Sequence, residues 1–439
     1  MKKTVLFIIC VTAFSMHTKA QDFDNPAQTA SLEHGFVRIG EISSVCRNNV
    51  GASSFLFPSG DKLVTGLHDS VSADEFMSGL KASNSRYNQI DYNLVSYGWK
   101  GSRGFHTVEI GAKVNAGLSI PKEIFQLLKT GTAQSPYDWS ALRAFGNVYG
   151  EVSYGYSMNL SDNLSIGGRA KLLVGLNSVD ILARKFELTT TDRQYVLDLD
   201  ADIDLTNRNK KINSDEDGYL NYASFTGKGK LGFPSGAGLA MDLGVVWKPF
   251  HGFTAEASIL NLGGILWYYG NGGVSSGSYT FEGLKDLGKE ELQKEKIGTK
   301  LREVRDEVLG VIRPKAVNGY FKTKAVPLTA KLCSSYSLPF WEPLSVNASG
   351  LYSGYRFCAP YWEVRGGVSV SLPGIASFSL NSGCGSYGFV YGARGSVNFL
   401  SFKLYASYEN GVGGTVPYES IQLKANNKRF VMGLIYLIK

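Results

Sequence analysis

One stretch constrains the fold more than any other: "GEVSYGYSMNLSDNLSIGGRAKLLVG", residues 150–175. Two runs of about a dozen residues flank the polar triplet Ser161, Asp162 and Asn163, and each alternates apolar and polar with a period of two. Strand side chains point alternately to opposite faces. Val152, Tyr154, Tyr156 and Met158 therefore share one face with Leu164, Ile166, Leu172 and Val174, while Glu151, Ser153, Arg169 and Lys171 take the other. Such a hairpin suits a soluble sandwich with the apolar face inward, or a membrane barrel with it outward.

Strand length and connections choose between them. Similar alternation recurs at 105–118, 238–248, 361–372 and 402–409, in strands of nine to fourteen residues that put charge on one face. Sandwich strands usually run about five or six. Tight links at 101–104, 161–163, 249–252, 340–343, 373–374 and 399–401 alternate with long ones near 119–145, 177–236, 268–325 and 410–428. Bacterial outer-membrane barrels have this asymmetry of short periplasmic turns and longer external loops. Strands starting near 36, 92, 105, 146, 163, 237, 252, 326, 343, 361, 375, 387, 402 and 429 number about fourteen, with both ends of the chain on the periplasmic side. The expected fold is all-β, a transmembrane antiparallel β-barrel of about 14 strands with short loop helices and a plug-like segment before the first strand.

The N-terminal "MKKTVLFIICVTAFSMHTKAQ" reads as an export signal over residues 1–20: two lysines, an apolar run and small residues before Gln21. The expected location is the outer membrane, with a plug-like segment over 21–35 and the barrel over 36–439. Loss of Lys2, Lys3 and Lys19 lowers the formal charge from +7 to +4, too mild for nucleic-acid binding. No later stretch approaches the roughly 18 apolar residues of a spanning helix. Cys46, Cys333, Cys358 and Cys384 lack CxxC spacing and are expected to be buried free thiols, with Cys358 and Cys384 the one pair close enough in the layout to join.

The connections carry further patterns. "PKEIFQLLKTG" and the charge-rich 284–310 segment, with its stripe Ile297, Leu301, Val304 and Val308, read as loop helices. "YVLDLDADIDL" places Asp198, Asp200, Asp202 and Asp204 on one face; this suits a cation or, as the preferred reading, a solvated hairpin neutralised by Arg208, Lys210 and Lys211. Gly227, Gly229 and Gly232 match a dinucleotide-binding pattern and Ser275 an esterase elbow, both without the strand-to-helix turn those motifs need. The histidines lack zinc-ligand spacing, and His106 faces lipid. No catalytic set, metal site or cofactor site emerges. What remains is the inner face, where Glu109, Lys113, Glu151, Arg169, Lys171, Asp242, Glu256, Glu363, Arg365 and Lys403 project into a bore too wide for side chains alone to fill.

Several stretches together carry a resemblance: "NPA" at Asn25, Pro26 and Ala27, "YNLVSYGWK" at 92, "LSIGGRAKLLVGL" at 164 and "AMDLGVVWKPFHGFTAEASILNLGGILW" at 240–267. They resemble an uncharacterised outer-membrane family, a domain of unknown function, similar to FadL-type long-chain fatty-acid transporters. The resemblance implies a fourteen-stranded barrel, Asn25, Pro26 and Ala27 in a plug, and passage of hydrophobic small molecules; the expected protein is a monomer that passes small hydrophobic compounds passively. The alternative is an accessory role in secretion or surface assembly, with the long loops binding partner proteins.

Overall fold

The computed structural model describes residues 24–438 apart from 61, 134–135, 208–212, 221–233, 283–293, 356–357, 413–416, 419–420 and 423–425. Fourteen antiparallel strands close into a barrel. The first seven are β1 (Phe36–Asn48), β2 (Ser83–Lys100), β3 (Phe105–Pro121), β4 (Arg143–Ser161), β5 (Leu164–Thr190), β6 (Gly236–Trp247) and β7 (Phe253–Phe281). The second seven are β8 (Leu328–Leu338), β9 (Trp341–Tyr355), β10 (Cys358–Leu372), β11 (Ala376–Gly385), β12 (Gly388–Phe399), β13 (Phe402–Val412) and β14 (Asn426–Leu437). Each pairs with its neighbours in sequence, and β1 closes the ring on β14 from Phe36↔Leu437 to Cys46↔Lys428.

The faces sort as the alternation requires. Val152, Leu172, Leu239, Val364, Leu404 and Met432 stand exposed on the outside, whereas Ser96, Asn115, Ser153, Arg169, Lys171 and Asp242 are buried within. An exposed apolar wall around a buried polar interior is the arrangement of a barrel in lipid, where closure alone satisfies every backbone group. Aromatic rings gather outside at the short-turn end: Trp99 stacks on His106 with centroids 5.2 Å apart, and Phe402 meets Tyr436 at 5.1 Å. Aromatic belts of this kind sit at the headgroup level of a bilayer.

Three boundaries differ from the sequence expectation. Strand β1 runs on to Asn48 because Gly40, at φ 67°, accommodates a bulge between Ile39 and Ile42 that shifts the inward face from Arg38 to Glu41 and breaks the simple alternation. Residues 49–82 are a further long connection, tied to the Lys122–Thr130 helix through Phe55, Phe76 and Phe125, whose centroids lie 5.3–6.4 Å apart. Much of the expected loops 177–236 and 268–325 is also wall. Strands β5 and β7 run 27 and 29 residues, when about 9–11 cross a membrane. Above the bilayer the strand Tyr195–Thr206 lies between them, continuing the line of β6, and Lys315–Ala325 extends β8 past Pro327. Beyond the lipid no outer face has to be apolar, so the alternation is not required there.

The aspartate strand is neutralised by cross-strand partners. Lys185 reaches Asp198 at 2.9 Å, Arg184 pairs with Asp200 at 2.6 Å and with Asp202, and Lys322 reaches Asp204 at 2.7 Å. Hydrogen bonds from Ser278 and Lys185 hold Asp198 below the usual carboxylate range, and those from Arg184 do so for Asp200. Arg208, Lys210, Lys211 and the 227–232 glycines lie outside the described residues. The thiols also depart from expectation. Cys46, Cys333 and Cys384 form no disulfide, as expected, but Cys333 and Cys384 are exposed, and Cys384 opposes Val364 and Phe389 on the lipid face rather than joining another thiol. The Cys358 side chain is outside the described set.

An arginine aimed into mid-bilayer costs about 2–4 kcal/mol. Val152→Arg is therefore expected to lower unfolding stability in lipid vesicles by that amount, measured by tryptophan fluorescence against urea. Ser371→Arg, on the inner face, is expected to stay within about 0.5 kcal/mol.

Candidate functional site

The bore is filled on one side by the segment before β1. Pro26 starts a short 3-10 turn, Pro26–Ser31, whose N-cap Asn25 accepts the Ala27 N–H at 3.0 Å and donates from its amide to the Val245 carbonyl at 3.1 Å. Gln28 donates to Glu256 at 2.6 Å, and the Thr29 and Ser157 hydroxyls are 2.7 Å apart. Wall glycines make the space. A Cβ at Gly244 would lie 1.9 Å from the Asn25 side-chain oxygen, and one at Gly167 would lie 2.5 Å from the Pro26 backbone. Asp24 then spans the lumen, paired with Lys331 of β8 and, at 3.7 Å, with Arg429 of β14.

Beside this segment lies one continuous ion network. Glu109 meets Arg38 at 3.2 Å and Arg169 at 3.4 Å; Arg169 meets Asp242 at 3.2 Å; Lys171 meets Asp242 at 2.8 Å and Glu151 at 3.3 Å; Lys113 completes the chain to Glu151 at 3.2 Å. Asp242 is its anchor, only 1% exposed. Its second oxygen accepts the Asn261 N–H at 2.7 Å, and Asn261 holds a left-handed φ of 62°. The Asn261 side chain accepts from Lys171 at 2.7 Å and donates to the Pro327 carbonyl at 3.2 Å, where β7 passes from pairing with β8 to pairing with its extension. The "MDLG…SILNLGG" sequence thus fixes an interruption in the wall.

The network borders a cavity of ≈ 160 Å³ that also reaches Arg47, Asp91, Lys331 and Arg429, with Val45, Leu260, Leu351 and Val431 among its apolar lining. Arg47 of β1 lies over the Tyr361 ring of β10, 3.7 Å from its centroid, a contact across the bore. Opposite the plug the inner wall is rich in hydroxyls, with Ser345 and Ser369 2.8 Å apart and Ser377 and Ser396 likewise.

Of the residues singled out from sequence, Glu109, Lys113, Glu151, Arg169, Lys171 and Asp242 come together in the network, and Glu256 instead holds the plug segment. Glu363 and Arg365 form a separate cluster, 2.7 Å apart, with Glu409 at 2.9 Å from Arg365. Lys403 is buried near the short turns, away from the cavity. Arg38, Glu41, Arg47 and Asp91 were hidden behind the Gly40 bulge and the late start assigned to β2. The i,i+3 spacing of Arg38 and Glu41 around a glycine is the signal that could have marked them. Ser275 lies within β7 and donates to the Ile312 carbonyl at 2.9 Å, far from the turn an esterase elbow needs.

Residues 27–408 match the Family of unknown function (DUF5723), and the chain belongs to that family. No curated protein matches it. Among solved structures it is similar to a Pseudomonas aeruginosa FadL homologue, at 11% identity and TM-score 0.42 over 94% of this chain and 93% of that one. It is also similar to the Pseudomonas putida toluene transporter TodX (8%, 0.42, 95% and 92%) and the Ralstonia pickettii toluene transporter TbuX (8%, 0.45, 95% and 93%).

Two variants probe this site. Asp242→Asn leaves Arg169 and Lys171 short of a buried partner, and is expected to cost about 3–5 kcal/mol in urea unfolding. Gly244→Leu is expected to expel the Asn25 cap while leaving the wall intact, so limited proteolysis should cut the 24–35 segment faster with β-content by circular dichroism unchanged.

Proposed function

We propose that this chain is an outer-membrane uptake barrel, held shut at rest, that passes small compounds passively when its N-terminal segment leaves the bore. One observation carries the reading: among the described residues no strand pairing and no backbone-to-backbone hydrogen bond to the wall uses 24–34, Gly35 being held by the Ile438 N–H at 2.8 Å, so the segment can move while every backbone bond of the wall stays made. Its contacts include a handful of hydrogen bonds and the Asp24 ion pairs. A net gain of about 0.5–1.5 kcal/mol per hydrogen bond makes such a closure reversible. An outward apolar belt on a closed barrel supports the outer membrane as its place.

The hydrophobic cargo that the family resemblance implies meets a bore whose lining is dominated by charge. The cavity supports a polar route, with hydroxyls continuing it toward the short-turn end.

A second reading has its own support. Strands β5 and β7 carry the wall well past the membrane, and the Lys294–Ile312 helix, with Leu309 and Ile312 exposed, stands beside β7. That surface suits an accessory role in secretion or surface assembly.

Flux into proteoliposomes tests the two. Replacing Asp24, Asn25 and Gln28 together by alanine is expected to raise sugar-driven swelling at least about tenfold over wild type, since the free energy of even one of the lost contacts shifts a closed–open equilibrium by roughly that factor. Equal swelling would remove the uptake reading. Loss of a co-purifying protein on deletion of 294–312, with flux unaltered, would favour the accessory role.

A further inference from the structure

The uptake reading leaves open what the bore accepts, and two side chains without an ion pair among the described residues bear on that. Thirteen charged residues line the cavity among the described residues, and eleven have an opposite charge within 4.0 Å. The other two, Arg47 and Asp91, are of opposite sign.

Arg47 rests on the Tyr361 ring and makes no ion pair among the described residues. The carboxylate nearest that ring is already taken: Glu363 accepts from the Tyr361 hydroxyl at 2.5 Å and from Arg365 at 2.7 Å. Asp91 accepts from Gln89 at 2.7 Å through one oxygen, while the other is buried without a hydrogen bond. Lys113 sits opposite Asp91 in the ladder and acts on it through space, but its ammonium contact is with Glu151 and not with Asp91. Arg47 and Asp91 do not satisfy each other either. They belong to the rungs Arg47↔Tyr87 and Ser43↔Asp91, four residues and about 13 Å of strand rise apart.

Burying an unpaired charge is costly, and the cost falls when a partner of the opposite sign arrives. One molecule bringing a partner to both groups must carry a negative and a positive end. The geometry points to a binding site in the cavity for a small zwitterion of the ω-amino-acid kind, its carboxylate on Arg47 and its ammonium on Asp91; this rests on the uptake reading for its purpose but not for its binding. The volume of ≈ 160 Å³ is close to the roughly 150 Å³ engineered cavity that admits benzene, so the solute is of that order.

The test uses the full chain in detergent and three probes with one carbon skeleton: 5-aminopentanoate, pentanoate and pentylammonium, titrated by calorimetry. The zwitterion is expected to bind about tenfold more tightly than either single-charge probe, about 1.4 kcal/mol. Arg47→Gln should reduce 5-aminopentanoate to the pentylammonium level, and Asp91→Asn to the pentanoate level. Val45→Trp, which fills the cavity while keeping both charged residues in the sequence, should abolish binding, and each variant is checked for faster migration before boiling on a gel. Equal affinity for the three probes, or indifference to the charge variants, overturns the site. Flux of 5-aminopentanoate through the barrel with Asp24, Asn25 and Gln28 replaced separates the two proposals. Binding without flux keeps the site and removes uptake, whereas flux without binding keeps uptake and removes the site.

Discussion

Everything in this molecule follows from the rule that a backbone in hydrocarbon must satisfy its own hydrogen bonds. The seam between β1 and β14 meets that rule: without its ladder of pairs from Phe36 to Cys46 the sheet would present two bare edges to lipid. Closure also places both ends of the wall at the short-turn end, where residues 24–35 can turn back into the bore from beneath β1. The place of residues 24–35 in the bore is thus a consequence of the topology.

Inside, the constraint is electrostatic. Charges removed from bulk water need partners of opposite sign, and buried pairs roughly break even against hydrophobic replacements, so the network specifies an arrangement more than it adds stability. Asp242 shows what is specified. It holds Arg169 and Lys171 and also caps the left-handed Asn261, so the interior charges and the irregularity in the wall are set by one carboxylate. Arg47 and Asp91 stand out against that background because neither has an opposite charge within 4.0 Å among the described residues.

The architecture was legible because a period of two in runs of a dozen residues survives wherever one face meets lipid and the other polar groups. Residues 150–175 are the clearest case, and they form the β4–β5 hairpin. Legibility fails where that contrast ends. The upper halves of β5 and β7 stand beyond the lipid, where no apolar outer face is required, and read as loop, and the Gly40 bulge moves Glu41 onto the face of Arg38. The same limits apply to the site. Alternation put Glu109, Lys113, Glu151, Arg169, Lys171 and Asp242 on the inner face, but pairing across the bore, as between Asp24 and Lys331, depends on strand order around the ring, which no local pattern encodes. The cysteines illustrate the converse: Cys384 occupies a lipid-facing position that a small apolar residue fills equally well, so its presence signalled nothing.

The most direct test of the account is a cross-link at the closing seam. Ser44 and Phe430 face each other across β1 and β14, so Ser44→Cys with Phe430→Cys, in a chain whose Cys46, Cys333, Cys358 and Cys384 are replaced by alanine, places two thiols on opposite sides of the seam. Membranes bearing this protein are treated with a short bifunctional thiol reagent and the boiled product is run on a gel. The closed barrel predicts an efficient intramolecular cross-link that shifts the boiled band, and no shift when Phe430→Cys is combined instead with Val346→Cys on β9. Failure of the Ser44–Phe430 pair to cross-link in protein that otherwise inserts would contradict closure, and with it the separation of lipid face from lumen on which the rest depends.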